Sequence, residues 1–212
     1  LESFLQFIQD KNLDSFYLSS YDQFLSEYVP ASNSLRVYLT GFTGSVAEVL
    51  VKSSGECHLF VDGRYTQQAE KQVDTNKFKI HTCQPGTSPM SALLNMVKDE
   101  KQKLGYIASR TSFSDFRQLR EIADLVAFES PEIEKLLELD YKPVLNPIEL
   151  VQVENGGVDT LTKLQSMPLK QNEAYLVNAL DSLAWLSNGR GYHLPFMSSF
   201  MGTGLATQNK LY

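Results

Sequence analysis

The sequence predicts an α/β fold, a mixed β-sheet flanked by helices, followed by the start of a second, related domain. Three observations predict it. β-prone and helix-prone stretches alternate as far as Phe128, the pattern of a sheet layered with helices. In LDYKPVLNPIEL, Pro143 and Pro147 lack the amide donors a helix would use, and the alternation stops there. Beyond them a theme of the N-terminus returns. Tyr17 and Leu18 lead to Asp22 and FLSEY, and Tyr175 and Leu176 lead to Asp181 and LAWLSN.

In chain order, Leu1, Phe4, Leu5 and Ile8 recur at helical spacing and lead into a β-prone run at residues 15–18. The β-prone stretches 47–51 and 58–61 flank the turn-rich Ser53, Ser54 and Gly55 and pair as a hairpin. TQQAEKQV then reads as helix, FKIHT as strand, SALLNMVKDE as helix, LGYIA as strand, FSDFRQLREIA as helix and LVAF as strand. After the proline-containing linker, VDTLTKLQ reads as helix and EAYLVNA as strand, followed by the apolar LDSLAWLSN. The boundary falls near residue 145. Residues 1–145 form the first domain, and residues 146–212 form a linker and an incomplete second domain.

Hydrophobic residues at 42% and charged residues at 21% give an ordinary packed core and exclude the signature of disorder. A formal net charge of −6, from 19 basic and 25 acidic residues, argues against nucleic acid and anionic membrane as partners. No apolar run approaches the roughly 18 to 20 residues that span a bilayer, and LESFLQFIQDKN alternates charge and apolarity in helical fashion. A soluble, cytoplasmic protein without a secretory signal is the expectation. Cys57 and Cys83 are too few for a disulfide framework and read as reduced thiols.

Candidate chemistry is sparse. His58 and His81 fall in predicted strands and His193 in a loop-like stretch, and neither Cys-x-x-Cys nor His-Glu-x-x-His occurs, so no metal ligands are expected. Gly-x-Ser-x-Gly is absent, and Cys57 and His58, adjacent in a strand, face opposite sides of a sheet, so no catalytic residue is expected either. MGTGLAT lacks the third glycine of a dinucleotide fingerprint and reads as strand or loop. Asp62 and Gly63 stand at a strand-to-helix junction, where an aspartate caps amide N–H groups and a glycine tolerates a tight turn. Arg64 is the one candidate for substrate binding, because a guanidinium holds a carboxylate with two prongs. The preferred reading of Arg64 is nevertheless a structural ion pair with Asp62 or a residue distant in sequence. Trp185, Leu183 and Leu186 are expected in a core, with an interdomain or subunit contact as the second reading.

YLTGFTGS (residues 38–45), then HLFVDGRYTQQAEKQVD (58–74), resembles the creatinase/prolidase N-terminal domain as it occurs in Xaa-Pro aminopeptidases. A glycine-punctuated turn, a hairpin and an Asp-Gly-Arg-Tyr junction stand in the family's order at about its spacing. QPGTSPMSALL (84–94) and ALDSLAWLSNGRG (179–191) continue the likeness. The resemblance implies a cytosolic metallopeptidase that removes the N-terminal residue of peptides with proline second. In its long form, two related N-terminal domains precede a pita-bread catalytic domain. That domain holds two divalent ions, manganese or zinc, on two Asp, one His and two Glu.

Nothing in this chain corresponds to that set, so the chain is expected to lack the catalytic domain, to carry no cofactor and to be inactive alone. Its implied partners are its own C-terminal catalytic domain, the proline-containing peptides and a second copy in a homodimer. Its implied role is subunit assembly and restriction of substrate access. The alternatives are a free-standing binding or assembly module, or the N-terminal region of a prolidase or creatinase. The second repeat favours the long aminopeptidase.

Overall fold

In the computed structural model, which describes residues 1–98 and 101–212, the chain divides into two units, Leu1–Tyr141 and Lys142–Tyr212. The first contains α1 (Glu2–Asp10), β1 (Ser15–Leu18), α2 (Leu35–Thr40), β2 (Ala47–Lys52), β3 (Cys57–Val61), α3 (Thr66–Gln72) and β4 (Phe78–Thr82). It continues with α4 (Pro89–Val97), β5 (Gln102–Ile107), α5 (Phe113–Ile122), β6 (Ala123–Phe128) and α6 (Ser130–Leu136). The helix expected over 91–100 begins two residues earlier, where Ser88 caps it and Pro89 supplies a preset φ, and its last two expected residues lie outside the described ones.

The six strands form one mixed sheet in the order β4-β3-β2-β1-β5-β6. β2 runs antiparallel to both β1 and β3, with Phe16 opposite Val51 and Leu50 opposite His58. β3 with β4, β1 with β5, and β5 with β6 pair in parallel. Alternation at period two then assigns each strand residue to one of two cores. Phe16, Leu18, Val49, Val51, Leu59 and Val61 join Phe4 and Ile8 of α1 and Ile133 of α6 on one face. Tyr17, Leu50, Phe60, Leu104 and Tyr106 join Leu93 of α4 and Leu119 of α5 on the other. Since both faces are covered, β2 and β3 are buried almost throughout and read as continuous apolar runs. Gly105 of β5, paired with Phe16 of β1, leaves room for the Phe16 ring, because a Cβ there would lie 2.5 Å from it.

The second unit contains β7 (Glu149–Leu150), α7 (Val153–Gly156), α8 (Thr160–Ser166), β8 (Tyr175–Val177), α9 (Leu180–Ser187), β9 (Gly189–Arg190) and β10 (Gly204–Ala206). β7 pairs with β9 and β8 with β10, both antiparallel, and MGTGLAT contributes β10. Leu164, Val177, Leu183, Ala184, Leu186, Phe200 and Ala206 form its apolar core.

The expectation for Trp185 is corrected here. Leu183 and Leu186 are buried, but Trp185 is 53% exposed. Successive helix residues turn by about 100°, and the buried arc of α9 is taken by Leu180, Leu183, Ala184 and Leu186. The indole instead lies 4.6 Å from Lys163 Nζ, and the ammonium also donates to the Trp185 carbonyl at 2.6 Å.

Candidate functional site

The glycine-punctuated loop and the Asp-Gly-Arg-Tyr junction meet at one end of the first unit's sheet, because antiparallel pairing sets Ala47, the first residue of β2, opposite Val61, the last of β3. The loop starts at the end of α2, which Ser34 caps through the Val37 N–H and which Gly41 closes in the left-handed conformation at φ 74°. Arg36, buried beneath the loop, donates from Nη1 to the Phe42 carbonyl and from Nη2 to the Gly44 carbonyl, both at 2.7 Å. Burial pushes its pKa down to about 10. The Phe42 ring packs edge-on against Tyr65 at 5.8 Å. Gly44 sits against both, and a Cβ there would lie 2.3 Å from Phe42 Cζ.

Side chains then tie the loop to α3 and its approach. Gln72 Oε1 accepts the Thr43 N–H at 2.9 Å, and the Nε2 groups of Gln68 and Gln72 reach Thr43 Oγ1 at 3.0 and 2.9 Å. Ser45 Oγ and the Tyr65 hydroxyl are 2.9 Å apart.

Asp62 closes β3 and caps a 3₁₀ turn, Gly63–Tyr65, that precedes α3. Its Oδ1 accepts the Arg64 N–H at 2.9 Å and Arg64 Nε at 2.8 Å, and these bonds hold its carboxyl below the usual aspartate range. Arg64 thus has the local ion pair, and its side chain is still 74% exposed. Its two terminal amino groups make no hydrogen bond to the described residues and remain available as a two-pronged donor. Behind the turn, the Cys83 N–H donates to the Val61 carbonyl at 2.9 Å, and a Cβ on Gly63 would lie 3.0 Å from the Cys83 carbonyl oxygen. Replacing Asp62 by alanine should lower the urea midpoint of the chain slightly with an unchanged slope; an unaltered midpoint would contradict the cap.

Cys57 and Cys83 are buried free thiols; Cys57 Sγ faces the Gly55 carbonyl at 3.5 Å, and burial pushes its pKa up to about 11. His193 lies between the Asn146 carbonyl, 2.7 Å from Nε2, and the Met201 N–H, 3.0 Å from Nδ1. Sequence reasoning set His58 and His81 apart, but the parallel β3–β4 register brings His58 Nδ1 to 3.0 Å from His81 Nε2. Among the described residues, no group of three or more His, Cys, Asp or Glu could hold a metal ion. Sequence reasoning also passed over Arg36, whose partners are visible only once the loop has folded over it.

Residues 1–136 match the family model described as the creatinase/prolidase N-terminal domain. A probable Xaa-Pro aminopeptidase P of Colletotrichum graminicola is 29% identical over 225 residues, covering 96% of this chain and 35% of that protein. One of Coprinopsis cinerea is 26% identical over 221 residues, covering 100% of this chain and 35% of that protein. This chain therefore spans about a third of the length of these curated relatives. Among solved structures, the X-prolyl aminopeptidase of Caenorhabditis elegans, a cytosolic enzyme with a di-nuclear active site, superposes with a TM-score of 0.80 at 26% identity. That match covers 94% of this chain and 34% of the worm enzyme.

Proposed function

This chain belongs to the creatinase/prolidase N-terminal domain family, and from that premise we propose that it is the non-catalytic N-terminal region of an Xaa-Pro aminopeptidase. The likeness to aminopeptidase relatives runs past residue 136 through the second unit, which favours the long aminopeptidase over a prolidase or creatinase. In this reading residues 1–145 are the first domain, and 146–212 are a linker and part of a second. The catalytic domain lies in the share of the relatives' length that this chain does not match.

Two divalent ions, manganese or zinc, belong to the parent enzyme in this reading, as the di-nuclear worm neighbour suggests. The residues present here do not fit them. The described residues offer no group of three potential ligands, and the one histidine pair in contact among them, His58 and His81, supplies two imidazoles already bonded to each other. No step of peptide hydrolysis is therefore placed on this chain. No described helix is long and apolar enough to cross a membrane, and the cytoplasm is the proposed compartment.

The part assigned to the chain is to assemble subunits, as a homodimer, and to border the entrance through which peptides reach the metals. The observation that carries the entrance reading is the outward guanidinium of Arg64, on a turn capped by Asp62 and backed by the Cys83 carbonyl. An exposed two-pronged donor suits the terminal carboxylate or a backbone carbonyl of a short peptide.

The test uses the parent enzyme, loaded with manganese and given a peptide beginning Arg-Pro-Pro. Arg64→Ala should raise KM on the order of tenfold, the scale of one lost charge-assisted hydrogen bond, with a much smaller change in kcat. Arg64→Lys should fall between the two. An unchanged KM would remove Arg64 from the entrance. An inactive parent would remove the aminopeptidase reading and leave a binding or assembly module.

A further inference from the structure

We propose that the His58–His81 pair is an acid-sensitive clip that fastens edge strand β4 to β3 and thereby supports the turn carrying Arg64. His58 is 5% exposed, and its Nε2 is buried with no hydrogen-bond partner among the described residues. A proton on that nitrogen would be an unpaired buried donor, so the neutral ring carries its hydrogen on Nδ1 and donates it to His81 Nε2, 3.0 Å away. His81, half-buried and stacked on Phe60 at 4.6 Å, is held with that nitrogen as acceptor. Among the described residues, β4 is an end strand of the sheet, paired with β3 alone.

A second proton has no good place in this arrangement. Added to His81 Nε2, it sets two N–H groups head to head at hydrogen-bond distance. Added to His58 Nε2, it creates a buried cation with an unpaired donor. The surrounding charges do not alter this. Glu56, which would favour a cation, is bonded to Lys79 at 2.7 Å, and Lys79 and Lys52 of β2 both oppose one. α4, packed over β3, brings apolar Met90, Leu93 and Val97 among its described residues. Burial, with His81 second, pushes His58 down to about 4, and burial holds His81 below the ordinary histidine value of 6.5.

The clip acts on the turn through a short path. Two residues after His81, Cys83 bonds Val61 through its N–H and backs Gly63 with its carbonyl. Loosening β4 therefore removes the wall behind the turn that presents Arg64. This holds whether or not Arg64 meets a peptide.

The folded pair is neutral while the opened pair binds protons below pH 6.5, so the clip is at full strength above that value and weakens as pH falls toward 4. Hydrogen exchange of this chain, corrected for intrinsic rates, should show the protection of residues 78–83 and 62–65 falling about tenfold per pH unit for each proton taken up on opening. In the His58→Gln/His81→Gln double variant, the loss of protection of those segments between pH 7 and 5 should be absent. Equal protection of β4 at pH 5 and 7 in the unaltered chain, or equal slopes in the two proteins, would overturn the clip. If the double variant does not fold, imidazole resonances of the unaltered chain decide. Both rings titrating below 6 support the clip, and either one titrating at the ordinary value refutes it.

Discussion

Replacing Arg110 by alanine is expected to destabilise the first unit by about 3–5 kcal/mol, the cost of breaking a buried ion pair by removing one partner. Arg110 is 5% exposed and every nitrogen of its guanidinium is bonded. Nε donates to Ser130 Oγ at 2.6 Å, Nη1 to the Asn33 carbonyl at 2.7 Å, and Nη2 to Asn33 Oδ1 and Glu134 Oε1 at 2.7 and 2.8 Å. One side chain from the 3₁₀ turn Ala108–Arg110 that follows β5 thus fixes the 3₁₀ turn Ala31–Asn33 on one side and α6 on the other. Truncation takes a donor from the Asn33 carbonyl, the Asn33 amide oxygen, Ser130 Oγ and Glu134 Oε1, of which the last keeps the Ser130 hydroxyl at 2.6 Å. Glu134 is 31% exposed and regains some solvation, which keeps the loss within this range. Arg110→Lys should recover only part of it, since an ammonium cannot supply a planar fork. Urea unfolding at pH 7 measures both variants. A loss under about 1 kcal/mol for alanine, the size of an exposed pair, would show the network to be dispensable.

The fold was legible where one strand's own alternation decides the outcome, and illegible where two distant segments must meet. FKIHT and the run at 15–18 form strands at the residues expected, because side chains of period two have two cores to fill. LDSLAWLSN announces burial but not phase, and Trp185 took the outward position that a count of apolar residues cannot assign. At the sheet end, Gly41 and Gly44 were readable as punctuation. Their separate reasons, a left-handed φ and the face of the Phe42 ring, appear only in three dimensions. Asp62 was legible as a cap because its partner is two residues away. Arg110 lies 77 residues from Asn33 and His58 23 from His81, so no local spacing announces either contact.

The stability of the chain should also depend on pH through Glu48, with a sign opposite to that of the histidine clip. Glu48 lies on β2, 6% exposed, and its carboxylate accepts the Tyr17 hydroxyl at 2.8 Å. Burial pushes its pKa from 4.5 up to about 8, against the Tyr17 hydrogen bond, which works the other way; Asp115 adds to the rise and Arg36 offsets part of it. The folded chain therefore keeps a proton that the unfolded chain loses above pH 4.5. Stability from this group is full below 4.5 and is lost as pH rises toward 8. The loss is on the order of 3–5 kcal/mol, at 1.36 kcal/mol for each unit of pKa. Glu48→Gln keeps an acceptor for Tyr17 and cannot ionise, but it brings a buried amide donor, which costs about 1–3 kcal/mol if unpaired. At pH 5 the variant should be no more stable than the unaltered chain, and at pH 8.5 it should be the more stable of the two. The histidines contribute equally to both proteins. The difference between their unfolding free energies in urea therefore isolates Glu48, and a difference that stays constant from pH 5 to 8.5 would show that the carboxyl is already ionised in the fold.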